Sequence, residues 1–123
     1  MEQLATLIGT LLQSRNQAHI YHWQTQGMGS FAAHTALGAY YEGIIGIVDG
    51  LVESIQGRYG IIRGYKMVGT LKEDESYATY FEALSKFVEM TRTQVPQDSY
   101  IQNQIDEIVD LIETTRYKLV NLK

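Results

Sequence analysis

Four stretches of this chain repeat apolar residues three and four positions apart, and none sustains the alternation of a half-buried strand. A chain patterned this way packs as helices laid side by side. The first run, Leu4, Leu7, Ile8, Leu11, Leu12, Ala18 and Tyr21, predicts a helix over about residues 2–25, ended by Gly27 and Gly29. The second is expected to start at Ser30 as its N-cap and to run through Tyr41, Ile44, Ile45, Val48, Leu51, Val52 and Ile55 to the stop signals Gly57 and Gly60. Residues 58–72 lack the period and read as a long connection. The third helix should begin near Asp74 or Ser76, show Tyr77, Tyr80, Phe81, Leu84, Phe87 and Val88 on one face, and end before Pro96. The fourth opens on a capping box of Ser99 and Gln102 and carries the stripe Ile101, Ile105, Ile108, Ile112, Leu119 and Leu122.

Short links join the first helix to the second and the third to the fourth, so each pair should be antiparallel, while the long link can cross the bundle. The expected fold is all-α: one ferritin-like four-helix bundle over residues 1–123, with its long crossover between the second and third helices. An apolar content of 45%, with 20% charged residues and one proline, fits a packed domain. No cysteine is present, which removes thiolate zinc sites, iron–sulfur clusters and thiol catalysis. The most apolar stretch, residues 44–52, is broken by Asp49 and is too short for a span of about 20 residues, so no membrane partner is expected. No basic residue precedes Arg15, which argues against a signal peptide and for a cytoplasmic protein. A net charge of −4 confines any nucleic-acid contact to local patches such as Arg58, Arg63, Lys66 and Lys72, a run that also reads as a solvated loop.

The chemistry is concentrated on the first two helices. All three histidines, His19, His22 and His34, lie within sixteen residues. His22 shares the stripe of Leu4, Leu7, Leu11 and Ala18, where an imidazole needs a partner. Asp49 and Glu53 are four apart on one helical face, where like charges repel unless a cation lies between them. A metal ion accounts for both features, and two imidazoles with two carboxylates suit iron, zinc or cobalt. The alternative leaves the histidines as surface residues.

One subunit cannot close this set. His34 and Asp49 stand fifteen residues apart on one helix, roughly 22 Å at about 1.5 Å per residue. Two copies of the second helix packed antiparallel about a two-fold axis bring the histidine end of one to the carboxylate end of the other. Small residues at Ala36, Ala39, Gly43, Gly46, Gly50 and Gly57 offer a seam for close approach. Gly43, Gly46 and Gly50 forgo roughly 3 kcal/mol of helix propensity, which a close backbone contact offsets. A side chain of the third or fourth helix filling the groove is the competing explanation.

The segment His19, His22, Trp23, Gly27, Phe31, His34, Tyr41, Asp49 and Glu53 resembles the ferroxidase signature of the Dps mini-ferritins, with His34 twelve after His22, Asp49 fifteen further and Glu53 four beyond. The close match covers residues 19–53, and a weaker likeness reaches the fourth helix around residues 113–119. The resemblance implies a homo-oligomer, built from helix-to-helix dimers into a dodecameric shell, that binds iron(II), oxidises it with peroxide or dioxygen and stores ferric mineral. It implies that His22 and His34 of one subunit and Asp49 and Glu53 of its neighbour form the catalytic metal site, with His19 nearby as a further metal-binding residue. Trp23 would intercept radicals, or else serve only as an aromatic at the core edge.

The sequence departs from the family pattern at two positions. Gly38 stands where an acid usually assists a second iron, and Ser54 replaces an arginine, so a weakened second iron position is expected. The first helix is expected to begin almost at once, so DNA protection by a lysine-rich N-terminal tail, as in DNA-binding members of the family, is not expected. The ordinary ferritin site needs Glu-x-x-His, whereas Asn16, His19 and Phe31 precede the histidines by three. A helical structural or interaction protein without efficient iron chemistry is the second reading, and a DNA-contacting shell the third.

Overall fold

The computed structural model describes residues 1–73 and 76–122. Four helices carry the chain: α1 Glu2–Gln24, α2 Ser30–Tyr59, α3 Tyr77–Thr91 and α4 Ser99–Asn121, with a short 3-10 turn at Arg92–Gln94. No strand occurs among the described residues. No helix among them is long and apolar enough to cross a membrane.

The three-four spacing reaches the core much as expected. Leu4, Leu7, Ile8, Leu11, Ala18 and Tyr21 of α1 meet Leu37, Tyr40, Ile44, Val48, Leu51 and Ile55 of α2, all buried. Phe81, Leu84 and Val88 of α3 and Ile101, Ile105, Ile108, Ile112 and Leu119 of α4 close the other side. Two stripe members are exposed: Leu12 stands one position off the stripe and points at water, and Leu122 lies past the end of α4, where the backbone is already extended.

The helix ends differ in detail from their sequence signals. Gly29, at φ 81°, is the N-cap of α2 and Ser30 its first helical residue, since glycine alone takes the left-handed turn without a Cβ penalty. Gly60, at φ 96°, ends α2, while Gly57 lies inside it. Ser76 is the N-cap of α3, and the alternative cap Asp74 lies outside the described residues. The capping box on α4 does not form. Asp98 is the N-cap, and the Gln102 amide instead donates to the carbonyls of Arg92 (3.1 Å) and Pro96 (3.0 Å). Gln102 also accepts from Arg92 Nε at 2.9 Å, so it locks the α3–α4 turn.

The chain direction follows from contacts at the two ends. α1 runs up and α2 down; Tyr59, ending α2, donates to Asp98 at the start of α4. Tyr77, at the start of α3, packs against Tyr21 near the top of α1, with ring centroids 5.0 Å apart. Residues 60–73 therefore travel along the bundle toward that end. They climb α1 on backbone contacts: Val68 N donates to Thr10 Oγ1 (3.1 Å), Gln13 Nε2 to the Gly69 carbonyl (3.4 Å), and the Gln17 amide pairs with both the N–H (2.6 Å) and the C=O (2.8 Å) of Lys72. Gly9 lets this segment lie flat, because a Cβ there would sit 2.8 Å from the Lys66 carbonyl carbon and closer still to its oxygen.

Gly9→Ala raises helix propensity by about 1 kcal/mol yet drives a methyl into that backbone. The variant is expected to lose about 1–3 kcal/mol net, read as a lower urea midpoint. An unchanged or raised midpoint would place the crossover elsewhere.

Candidate functional site

The five residues 25–29 turn the chain tightly enough to lay the last turn of α1 beside the first turns of α2, with Gly27 and Gly29 both at positive φ. This brings His22 and His34 together. Their rings stack with centroids 3.6 Å apart and planes 21° from parallel. Each imidazole reaches across to the other residue's backbone: His22 Nδ1 lies 2.7 Å from the His34 carbonyl oxygen, and His34 Nδ1 lies 3.0 Å from that of His22. Thr25 Oγ1 donates to the same His22 carbonyl at 3.1 Å.

A carbonyl oxygen only accepts, so each Nδ1 must carry the proton. In the neutral rings both Nε2 atoms then keep their lone pairs. A backbone carbonyl holding Nδ1–H is the arrangement by which proteins orient a metal-ligating histidine and fix its tautomer. The helix backbone thus supplies the groups that position both rings.

Gly38 adjoins this pair. A Cβ placed there would lie 3.3 Å from His22 Cε1 and 3.5 Å from Nδ1, so position 38 does face the histidines. His19 is used differently. Its ring stacks on Tyr41 (centroids 4.1 Å, 19°) and lies tilted against Trp23 (4.1 Å, 35°), and its centroid is 6.1 Å from that of His22. Tyr41 also meets the His22 ring edge-on at 5.3 Å. Trp23 is 69% exposed, so it caps the stack from outside.

Asp49 and Glu53 lie on the solvent face of α2, in its second half, and neither has an ion pair or hydrogen bond within the described residues. No group of three or more His, Asp or Glu able to hold a metal ion occurs among the described residues of one chain. The structure joins two of the expected ligands and leaves the two carboxylates apart.

The glycine seam divides. Gly43 faces Leu111 of α4 (3.5 Å to a built Cβ) and Gly50 faces Gln104 (3.2 Å), so the groove there is filled within the chain. Gly46 and Gly57 meet nothing within 4 Å. Of the basic run, Arg58 pairs with Asp98 at 3.8 Å and Lys66 with Glu2 at 3.5 Å, which disperses its charge.

Sequence reading missed the polar core. Ser14 is fully buried, donating to the Leu11 carbonyl at 2.6 Å and accepting from Tyr40 at 2.7 Å, and burial pushes the Tyr40 hydroxyl well above its ordinary pKa. The available signal was a serine among leucines on the inner stripe of α1.

The reciprocal carbonyl contacts have a spectroscopic consequence. In nitrogen-15 spectra of the neutral protein, His22 and His34 are both expected as Nδ1–H tautomers with unprotonated Nε2. An Nε2–H form of either would mean that its ring does not bind the opposite carbonyl.

No curated protein and no solved structure matches the chain. Residues 22–119, from the first histidine of the stacked pair to the last core leucine of α4, match a family of unknown function. The chain therefore belongs to that family, DUF5856.

Proposed function

We propose that the protein is a Dps-like iron-binding ferroxidase and iron-storage protein of the cytoplasm, whose metal sites are shared across a two-fold dimer of α2. The observation that carries this reading is the His22–His34 pair, with both Nδ1 atoms committed to carbonyls and both Nε2 atoms left to bind. The unpartnered carboxylates of Asp49 and Glu53 supply the complement from a second subunit. The ascent of residues 60–73 along α1 supports a ferritin-like crossover. A dodecameric shell follows by resemblance alone.

Iron(II) is the substrate in this reading. Two iron(II) ions each give up one electron, and peroxide takes both with two protons to leave two waters; dioxygen is the other candidate oxidant. The imidazoles and carboxylates bind the ions, and Trp23, stacked outside His19, is placed to give an electron to a stray radical.

A second reading, a ferritin-like structural or interaction protein with little iron chemistry, draws on Gly38, which contributes no oxygen beside His22. The resemblance also implies a small extra helix in the crossover, and none occurs there among the described residues.

Titration calorimetry with iron(II) under nitrogen, or with cobalt(II) or zinc, is expected to find about one site per chain. His34→Ala and Glu53→Ala should each weaken binding about tenfold or more, given that even outer partners of metal ligands are worth 10–100-fold. Full affinity in either variant removes that residue from the site, and a monomeric particle mass in solution would overturn the shared site.

Gly38→Glu introduces a carboxylate against the His22 ring, which must give by a few tenths of an ångström. It should raise the initial rate of iron oxidation by strengthening the second position. An unchanged or slower rate in an assembled protein favours the second reading.

A further inference from the structure

Between α1 and α3 the ascending segment fills only part of the groove, and a cleft of about 260 Å³ remains. Val68, Tyr80, Leu84 and Phe87 give it apolar and aromatic walls, and Thr10 and Gln13 of α1 stand among them. Both of these polar residues are only 7% exposed, so each should have spent its hydrogen bonds within the protein. Neither has. Thr10 Oγ1 accepts from Val68 N at 3.1 Å, but no acceptor among the described residues takes its proton. Ser14, Thr114 and Thr115, by contrast, each donate to a carbonyl about one turn back. Gln17, one turn further along the same face, commits both ends of its amide to Lys72 at 2.6 and 2.8 Å. Gln13 makes a single contact, from Nε2 to the Gly69 carbonyl at 3.4 Å, beyond the usual range of about 2.7–3.2 Å, and its Oε1 receives no proton from any described residue.

A buried donor and a buried acceptor, three residues apart on one helix, thus line the same apolar cleft with capacity unused. Water could satisfy them, at the cost of wetting the apolar walls around it. We propose that the cleft binds a small molecule with an apolar ring and one neutral hydroxyl, a monocyclic phenol, whose O–H donates to Gln13 Oε1 while its oxygen accepts from Thr10 Oγ1. The size suits such a ligand, since an apolar cavity of about 150 Å³ already takes benzene. Tyr80 and Phe87 stand seven residues apart on α3, about 10.5 Å along its axis, so the two rings bracket the space between them. Lys72 also lines the cleft and attracts anions, but the lone pairs of Gln13 Oε1 oppose a carboxylate. A neutral hydroxyl meets both partners.

The cleft is separate from the histidine pair. Gln13 lies nine residues before His22, roughly 13.5 Å along α1, and the His22 ring faces α2, so binding here does not depend on iron.

Calorimetric titration of the metal-free protein with p-cresol, with chelator present, is expected to give one saturable site per chain. Toluene, the same ring without the hydroxyl, should bind about tenfold more weakly or worse, because two hydrogen bonds are lost and two buried groups stay unpaired. Gln13→Met nearly keeps the side-chain volume and removes the acceptor; it should lower the affinity for p-cresol about tenfold and leave that for toluene unchanged, a difference that mere loosening of the fold would not produce. Ala83 is exposed and lines the cleft, so Ala83→Trp should fill it and abolish binding of both compounds with the helical content intact. The absence of saturable binding leaves the cleft to water and overturns the proposal. So do equal affinities for p-cresol and toluene, tighter binding of benzoate than of p-cresol, or undiminished binding in Ala83→Trp.

Discussion

A peptide segment that crosses a bundle from one end to the other must find partners for its backbone or stay in water, and it cannot do so as a strand when no strand is available. Here α1 takes that role. Gln17 pairs with both polar groups of Lys72, as a neighbouring strand would, and Thr10 and Gln13 serve Val68 and Gly69. Gly9 contributes by lacking a side chain. This arrangement returns the chain to the top of the bundle, so that α3 descends beside α1 and α4 ascends beside α2. Without it the third helix could follow the second directly and the order of neighbours would change.

The same end of the bundle carries the histidine pair, and its geometry follows from the tight link between α1 and α2. Two helix ends held by a short turn expose carbonyls that no further turn of helix satisfies. The His22 carbonyl, in the last turn of α1, is such a group and receives His34; the His34 carbonyl, inside α2, takes the His22 ring as a second partner beside its place in the helix ladder. The price in helix regularity is small, and the yield is two imidazoles held in one orientation by main-chain atoms. The carboxylates have no such constraint; they stand on the open side of α2 with water around them.

The sequence made the four helices legible because burial selects apolar residues at the helical period, and Ile101, Ile105, Ile108 and Ile112 have no other arrangement that hides them all. The histidine pairing was legible only as a cluster in sequence; the turn that stacks the rings depends on Gly27 and Gly29, whose left-handed conformations no spacing announces. Helix caps were less legible. Ser99 and Gln102 have the composition of a capping box, but Gln102 has better acceptors in Arg92 and Pro96. The α1–crossover contacts were hidden for a different reason: Thr10, Gln13 and Gln17 are uncharged polar residues that suit water equally well, and their partners are backbone atoms, which leave no trace in composition. The glycines of α2 carried two messages in one pattern, since Gly43 and Gly50 admit α4 while Gly46 and Gly57 stay open, and period alone could not separate them.

Trp23 is the single tryptophan, and it stands outside the fold with one face on His19 and the rest in water. Its fluorescence therefore carries no information about the core, which can loosen without changing the solvent around the indole. What the emission does report is the orientation of one imidazole and, through Tyr41, the packing edge of His22. The molecule thus has a built-in optical gauge whose dial is wired to one end of α1 alone.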